Sequence, residues 1–451
     1  MAAGKKTYSI HTIILLLAIS WPMLLTFWKY QKREKPVDGV EDVTYNKPKL
    51  TGLVISDEKP KFSRENWFSG IYQEEAEDYN NDHWSLKETM VRLNNQFYYK
   101  AFNQIRVNGF VIGKDDYVFS EGYIFSAFGD DLISEEKVKG LLQKAKVVQD
   151  TLKKKGIDLL LVYAPGKGAY CTEFVEKKYV HPVKNTNHNL FVFNSKALGL
   201  NYLDLYSYFE QLKPKTQYPL FPKFGHHWSY YGECVAVDTL IKHIEKLHNC
   251  DMPAIQWSKV DVVDTARSRD ADVLASMNLY RNPKQNMKLA YPEILFETDS
   301  LKNTTRVLTI SDSYWYGPVY MGVPQNCFAG GQFWYYNNKV VPSPRQGEKV
   351  EAWELDLKKE IESNQVIMLL YSDGNLPMFG NKFIEDVYEL YTSPKTYYAR
   401  NERNKQIQVY AKQIRDTPGL LKKSTLKSKE QSITLDSAIR YDAMKMAGLV
   451  K

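Results

Sequence analysis

The spacing of hydrophobic and polar residues changes several times along the chain, and each spacing predicts an element. Over 67–103, Met90, Leu93, Phe97, Tyr98 and Phe102 recur at three- and four-residue intervals, which predicts helix. The stretch GFVIGKDDYVFSEGYIF alternates apolar and polar residues around a turn at 114–116, the pattern of a hairpin or two short strands. An amphipathic helix is expected over 135–155. The run IDLLLVYAP, 157–165, is continuously apolar before it breaks at Pro and Gly, as a strand buried on both faces of a parallel sheet would be. LNYLDLY, a helix over 234–248, RVLTISDSYW and QVIMLLYSDGN repeat the alternation. The fold class is therefore α/β, with helices on both faces of a mostly parallel sheet. Chemistry in such sheets gathers where strands end, here at 165–167, 311–314 and 372–375.

The two ends of the chain follow other patterns. Residues 8–28 carry no charge over 21 positions, enough to cross a hydrocarbon core of about 30 Å. No small-x-small cleavage site follows, and Trp28 and Tyr30 suit a membrane interface, so the run is expected to be an uncleaved anchor rather than a signal peptide. The chain is thereby divided into an anchor at 1–30, a linker at 31–65, a catalytic-type domain at 66–395 and a helical extension at 396–451. In the extension, Ile407, Tyr410, Ile414, Ile433, Leu435, Ile439 and Met444 mark amphipathic helices around the turn DTPG. That extension is either a solvated appendage or a docking element for a partner or anionic headgroups.

Charge and cysteine usage remove some classes of function. Residues 400–451 hold twelve Lys and Arg against five Asp and Glu, which is the whole formal charge of +7, so the main body is neutral and does not suit nucleic acid. Cys171, Cys234, Cys250 and Cys327 form no CxxC pair, so no metal site built on cysteine spacing is expected, and no cofactor is implied. In an oxidising compartment Cys234 and Cys250 would be the candidates for a disulfide. Lys29, Lys32, Arg33 and Lys35 outnumber Lys5 and Lys6 across the apolar run, and by charge alone the large domain would stay in the cytoplasm.

One strand end carries a candidate nucleophile. Ser313, in RVLTISDSYW, follows a buried strand, and a helix starting there would lend backbone N–H groups to a developing oxyanion. A serine hydroxyl needs a neighbouring base, so a histidine is required. Of the eight histidines, His11 lies in the apolar run, His243 and His248 lie among lysines on a helix, and His181 and His188 flank a polar stretch without an evident partner. His83 precedes a helix in a Glu- and Asn-rich stretch. What remains is FPKFGHHWSYYG, with His226 and His227 side by side.

These motifs together resemble the alginate O-acetyltransferase family, SGNH-hydrolase-like periplasmic proteins that work beside membrane-bound O-acyltransferases. The family places Asp-x-His-Trp, then Gly, ahead of a strand ending in Gly-Asp-Ser. HWSYYG at 227–232 and SDS at 311–313 resemble these, VIGKDDYVF is similar to V-G-K-D-G-W-L-F, and APGKGAY is similar to P-x-K-x-x-Y. The resemblance runs from Trp67 to Met378. It implies an SGNH-hydrolase-like sheet, Ser313 as nucleophile and His227 as base, with His226, Asp312, Asn375 and Lys167 in support. Asn375 would donate to an oxyanion, and Lys167 would hold a sugar hydroxyl or carboxylate unless it is a surface lysine. Trp228, Tyr314, Trp315 and Tyr336 would stack on pyranose faces. The family's triad carboxylate would fall at Gly225, which can orient nothing. His226, a backbone carbonyl, or a carboxylate such as Asp373 would have to replace it, or the site works as a dyad, or it only binds glycan.

The resemblance implies O-acyl transfer, with acetyl as the family's group, to an exported polysaccharide. A membrane-bound O-acyltransferase would supply the group, and the domain would lie outside the cytoplasm, against the lysine count. The alternatives are a carbohydrate esterase and a non-catalytic glycan-binding or complex-organising accessory protein.

Overall fold

The computed structural model describes residues 49–52, 59–84, 86–297, 302 and 305–450. The uncharged run at 8–28 lies outside the described residues, and among these no helix is long and apolar enough to cross a membrane. The chain divides into two compact units: Met1–Phe119 with Lys223–His226 and Thr265–Asn286, and Ser120–Pro222 with His227–Asp264 and Met287–Lys451.

Among the described residues, the first unit has three helices ahead of its strands, α1 (Arg64–Phe68), α2 (Ile71–His83) and α3 (Lys87–Phe102). The expected hairpin follows as β1 (Phe110–Ile112) and β2 (Val118–Ser120), and Asp115 and Asp116 turn the chain at φ of 53° and 62°. A small core gathers Tyr99, Ile112, Val118, Phe224, Val273, Met277 and Leu279. Helix α3 exists where the periodicity places it, but its faces are reversed. Arg92, Asn95 and Tyr99 are buried, while Met90, Leu93, Phe97 and Phe102 are exposed. Asn95 earns its burial with a bond from Nδ2 to the Met277 carbonyl at 3.0 Å, since a buried amide without a partner is costly.

The second unit holds the sheet. Its elements in order are α4 (Glu121–Phe128), α5 (Glu135–Lys153), β3 (Asp158–Ala164), α6 (Lys167–Tyr170), α7 (Asn187–Leu198), β4 (Tyr202–Asp204), α8 (Leu205–Leu212) and α9 (Tyr230–His248). Then come an antiparallel ribbon of β5 (Ile255–Val263) and β6 (Leu289–Phe296), β7 (Val307–Ser311), α10 (Tyr316–Met321), β8 (Phe333–Tyr335), β9 (Lys339–Val341), β10 (Val366–Ser372) and α11 (Phe383–Thr392). The sheet order is β4-β3-β10-β7-β8-β9, parallel except for β9 against β8. All of β3, β7 and β10 is buried, which explains their unbroken apolar runs. Val138, Leu142, Ala145, Val148 and Leu152 of α5 and Phe383, Ile384, Val387 and Leu390 of α11 join the core of this sheet. In register, Ala164 lies opposite Ser372 and Ser311 opposite Leu370, so the three singled-out strand ends share one edge.

The chain closes with α12 (Pro394–Asp416), α13 (Pro418–Gln431) and α14 (Leu435–Met446). Ile407, Ala411, Ile414, Ile439 and Ala443 bury against one another, so the basic extension has a small core of its own. The disulfide expectation fails, because Cys234 and Cys250 are both free. Cys234 lies in the second turn of α9 and Cys250 beyond its C-terminus, and a helix rising about 1.5 Å per residue separates them by more than 20 Å.

Candidate active site

The loop that ends in HHW is shaped by the helix it enters. Ser229 caps α9, its Oγ accepting from the Gly232 N–H at 3.0 Å and donating to the Pro219 carbonyl at 2.6 Å. A Cβ on Gly232 would sit 2.5 Å from the Leu220 carbonyl oxygen, so the glycine of HWSYYG permits close approach of helix and loop. His227 therefore precedes the cap by two residues, on chain anchored from both sides. Its Nε2 lies 2.8 Å from Ser313 Oγ. With the Nδ1–H tautomer, the serine hydroxyl donates to Nε2, the geometry that a general base requires. Both residues are partly exposed, so an outside reactant can reach them. His226 falls in the other unit, where its N–H donates to Asp272 Oδ1 at 3.0 Å and its ring meets Phe110 edge-on.

Ser313 stands on a turn held rigid from below. Asp312 is fully buried, and its carboxylate accepts from the Tyr314 N–H at 3.0 Å, the Ser372 N–H at 2.9 Å, the Ser372 hydroxyl at 2.6 Å and Asn375 Nδ2 at 2.9 Å. These four bonds to one carboxylate join the ends of β7 and β10. The Tyr123 hydroxyl extends the network to Ser372 Oγ at 2.7 Å, and burial pushes its pKa well above the ordinary tyrosine value. The ring of Tyr123 also explains the glycines of PGKG and SDG. A Cβ at Gly374 would lie 2.4 Å from its Cδ1, and one at Gly168 would lie 2.2 Å from its carbonyl oxygen.

Asp373, next to this network, behaves differently. It is buried, its Oδ1 accepts from the Gly374 N–H at 2.8 Å, and the Gly166 amide also bonds to it. Burial raises its pKa to about 8, with Asp131 and Asp312 adding to the shift. A carboxyl that keeps its proton up to that pH supplies no negative charge to a neighbouring imidazolium. The oxygens of Asp312 are committed to the strand ends.

Several other expectations are corrected. Asn375 Nδ2 donates to Asp312 Oδ2 at 2.9 Å and to Ser372 Oγ at 3.2 Å, and its side chain also bonds Tyr336, so Asn375 braces the turn. The Tyr314 N–H is taken by Asp312 Oδ1, and the Trp315 N–H lies over the Asp312 carbonyl at 3.5 Å. Lys167 is no surface lysine: it is buried on the first turn of α6. Trp228, Tyr314 and Trp315 are buried too, Trp228 between Phe209 and Tyr314, and Trp315 stacked on Phe328 at 5.7 Å, so none offers a face to a sugar. Tyr336 stays partly exposed. Ring contacts run from it through Tyr335 (4.5 Å) and Tyr316 (5.0 Å) to Tyr320 (6.1 Å), whose exposure is 76 %. Tyr316 and Tyr320 follow Ser313 at three and seven residues, a helical spacing that could have singled them out. The histidines judged partnerless have carboxylates: His188 Nε2 lies 2.9 Å from Asp204, and His181 Nε2 lies 3.1 Å from Asp130. His248, expected among lysines in solvent, meets buried Asp158 at 2.8 Å.

The class this edge suggests is met by comparison with known families. Residues 110–298 match the family model described as the SGNH hydrolase-like domain of the acetyltransferase AlgX. The matched segment includes His227 and ends before Ser313.

Among curated proteins, the chain is similar to the probable alginate O-acetylase AlgJ of Pseudomonas putida, 27% identical over 148 residues, 33% of this chain and 37% of that protein. It is also similar to the AlgJ of Pseudomonas aeruginosa, 25% identical over 197 residues, 44% of this chain and 47% of that protein. The chain thus spans less than half the length of these relatives. Among solved structures, the O-acetyltransferase domain of Pseudomonas putida AlgJ aligns at 20% identity and a TM-score of 0.40, covering 62% of this chain and 99% of that one. Pseudomonas aeruginosa AlgX aligns at 12% identity and a TM-score of 0.39, covering 61% and 67%.

Proposed function

We propose that this protein transfers an O-acetyl group to a hydroxyl of an exported polysaccharide through a covalent acetyl-serine at Ser313. The observation that carries the reading is the 2.8 Å approach of His227 Nε2 to Ser313 Oγ at the carboxyl edge of a parallel sheet. As Oγ attacks the acetyl carbonyl carbon, its proton passes to Nε2. The carbonyl reforms, the donor's oxygen departs with that proton, and the acetyl group remains on Oγ. An acceptor hydroxyl then attacks the same carbon and gives its proton to Nε2, which returns it to Ser313 as the ester leaves. Asp312, Ser372 and Asn375 act as positioning residues that hold the turn, and Asp272 holds the backbone of His226, the residue before the base.

The acceptor surface is the row Tyr336, Tyr335, Tyr316 and Tyr320, whose aromatic faces suit the apolar faces of pyranoses. The acetyl donor is a membrane-bound O-acyltransferase, and residues 8–28 anchor the chain with its domains outside the cytoplasm. The similarity to proteins named alginate O-acetylase supports this placement over the lysine count beside the uncharged run.

The test is acetyl release from a chromogenic acetyl ester by the native chain, Ser313→Ala and His227→Ala. Activity in the native chain and its loss in both variants is expected. Equal activity in all three sinks the nucleophile assignment. A reporter fused after Lys451 reads topology, and a cytoplasmic signal contradicts the anchoring proposed here.

A further inference from the structure

Helix α3 is built inside out. Arg92, Asn95 and Tyr99, at spacings of three and four, form its buried face. Met90, Leu93 and Phe97 form the opposite face and are exposed. A helix in water normally buries the second set and solvates the first. The preceding segment shows the same excess: Phe62, Trp67 and Phe68 are exposed, and Phe62, Trp67 and Tyr72 contact one another ring to ring at 5.3–5.9 Å. These six large apolar side chains, 44% to 77% exposed, lie within 36 residues of chain. Exposed apolar surface so concentrated marks a surface that something covers.

We infer that the outward apolar face of α1 and α3 lies in the interfacial layer of a lipid bilayer. Three observations choose lipid as the occupant. The aromatic residues are interleaved with exposed Lys61, Arg64, Lys100 and Arg106, the mixture that suits a headgroup boundary. The face begins only 33 residues (29–61) after the uncharged run 8–28, so a chain anchored by that run brings α1 back to the membrane within a short stretch of sequence. The intervening α2 carries Glu74, Glu75, Glu77, Asp78 and Asp82, so the apolar face, not attraction to anionic lipid, supplies the contact. The inference rests on the anchor reading above and is independent of the acetyl-transfer reading.

The test uses the full chain reconstituted into phosphatidylcholine vesicles, in a Cys250→Ser background that leaves only buried native thiols. A single nitroxide is placed at Phe97→Cys, at Phe68→Cys, or, as a reference on an exposed site of the other unit, at Val180→Cys. Power saturation compares collisions with oxygen, which enriches in lipid, and with a water-soluble nickel chelate. The labels at 68 and 97 are expected to favour oxygen at least about threefold more than the reference, unchanged by added anionic lipid. An oxygen-to-chelate ratio equal to that of Val180→Cys overturns the inference. Shielding from both collision partners indicates a protein occupant and overturns it equally. Flotation of the same vesicles separates the two readings: a chain that floats with water-exposed labels sinks only the inference, and one that does not float sinks the anchor.

Discussion

Two neighbouring strands of the sheet end in the same dipeptide and are put to opposite uses. Strand β7 ends in Ser311-Asp312-Ser313, and β10 ends in Ser372-Asp373-Gly374. At the first end the aspartate turns inward to four donors, and the next residue emerges as the serine beside His227. At the second end the serine turns inward, the aspartate is buried with two backbone amides and a pKa raised to about 8, and the next position is kept empty by the Tyr123 ring. The two aspartates differ in their partners: Asp312 binds across to the end of β10, whereas Asp373 meets only nearby backbone amides and burial raises its pKa. The first carboxylate fastens the turn through four bonds, while the second fills space beside the Gly374 and Gly166 amides.

The largest effect in this contrast belongs to the exposed end. Ser313→Ala is expected to lower kcat about 10³-fold or more, and His227→Ala about 10²- to 10⁴-fold, with little change in thermal stability. Wild-type kinetics in either would erase the distinction between the two ends. Gly374→Ala comes next, because its methyl would meet Tyr123 at 2.4 Å. It should cost about 1–3 kcal/mol in chemical denaturation and reduce activity, and an unchanged midpoint would show that Tyr123 yields freely. Ser372→Ala removes one donor to Asp312 and one partner of Tyr123. The expectation is a loss of about 1–2 kcal/mol with a several-fold fall in kcat and an unchanged KM, and a KM effect alone would argue against a positioning role.

The smallest effect on turnover is expected from Asp373→Asn, which is read instead in the pH response of stability. Unfolded, the carboxyl titrates near 3.8, and folded it titrates near 8. Between those values the folded chain holds a proton that the unfolded chain has released, so this group's stabilising contribution is complete below the lower value and is lost as pH rises to the upper one. The asparagine variant cannot lose it. Its stability relative to the native chain should therefore climb from pH 5 to pH 8 in denaturant titrations, and a constant difference would place the proton elsewhere.

Much of the sheet could be read from sequence because burial on both faces leaves no choice of side chain: DLLLVYA and VIMLLYS had to be central strands. Periodicity located α3 as well as α5, yet only α5 turns its apolar stripe inward. Period reveals that a helix has two faces, and the surroundings decide which one is covered. Ser313 was legible as a residue at a strand end, whereas the choice of His227 as its partner came from the resemblance of HWSYYG and SDS to the family's motifs. Trp228, Tyr314 and Trp315 misled, because an aromatic next to a catalytic motif looks the same whether it lines a groove or supports the residue that does. Asp272, 46 residues from His226, carried no local signal, since its role arises only from tertiary proximity.

The central claim is that Ser313 takes the acetyl group. The most direct measurement is peptide mass spectrometry of the native chain quenched after brief incubation with an activated acetyl ester. One acetyl group is expected on the peptide containing Ser313, absent from Ser313→Ala and strongly reduced in His227→Ala. Acetylation confined to another residue, together with full turnover by Ser313→Ala, would contradict it.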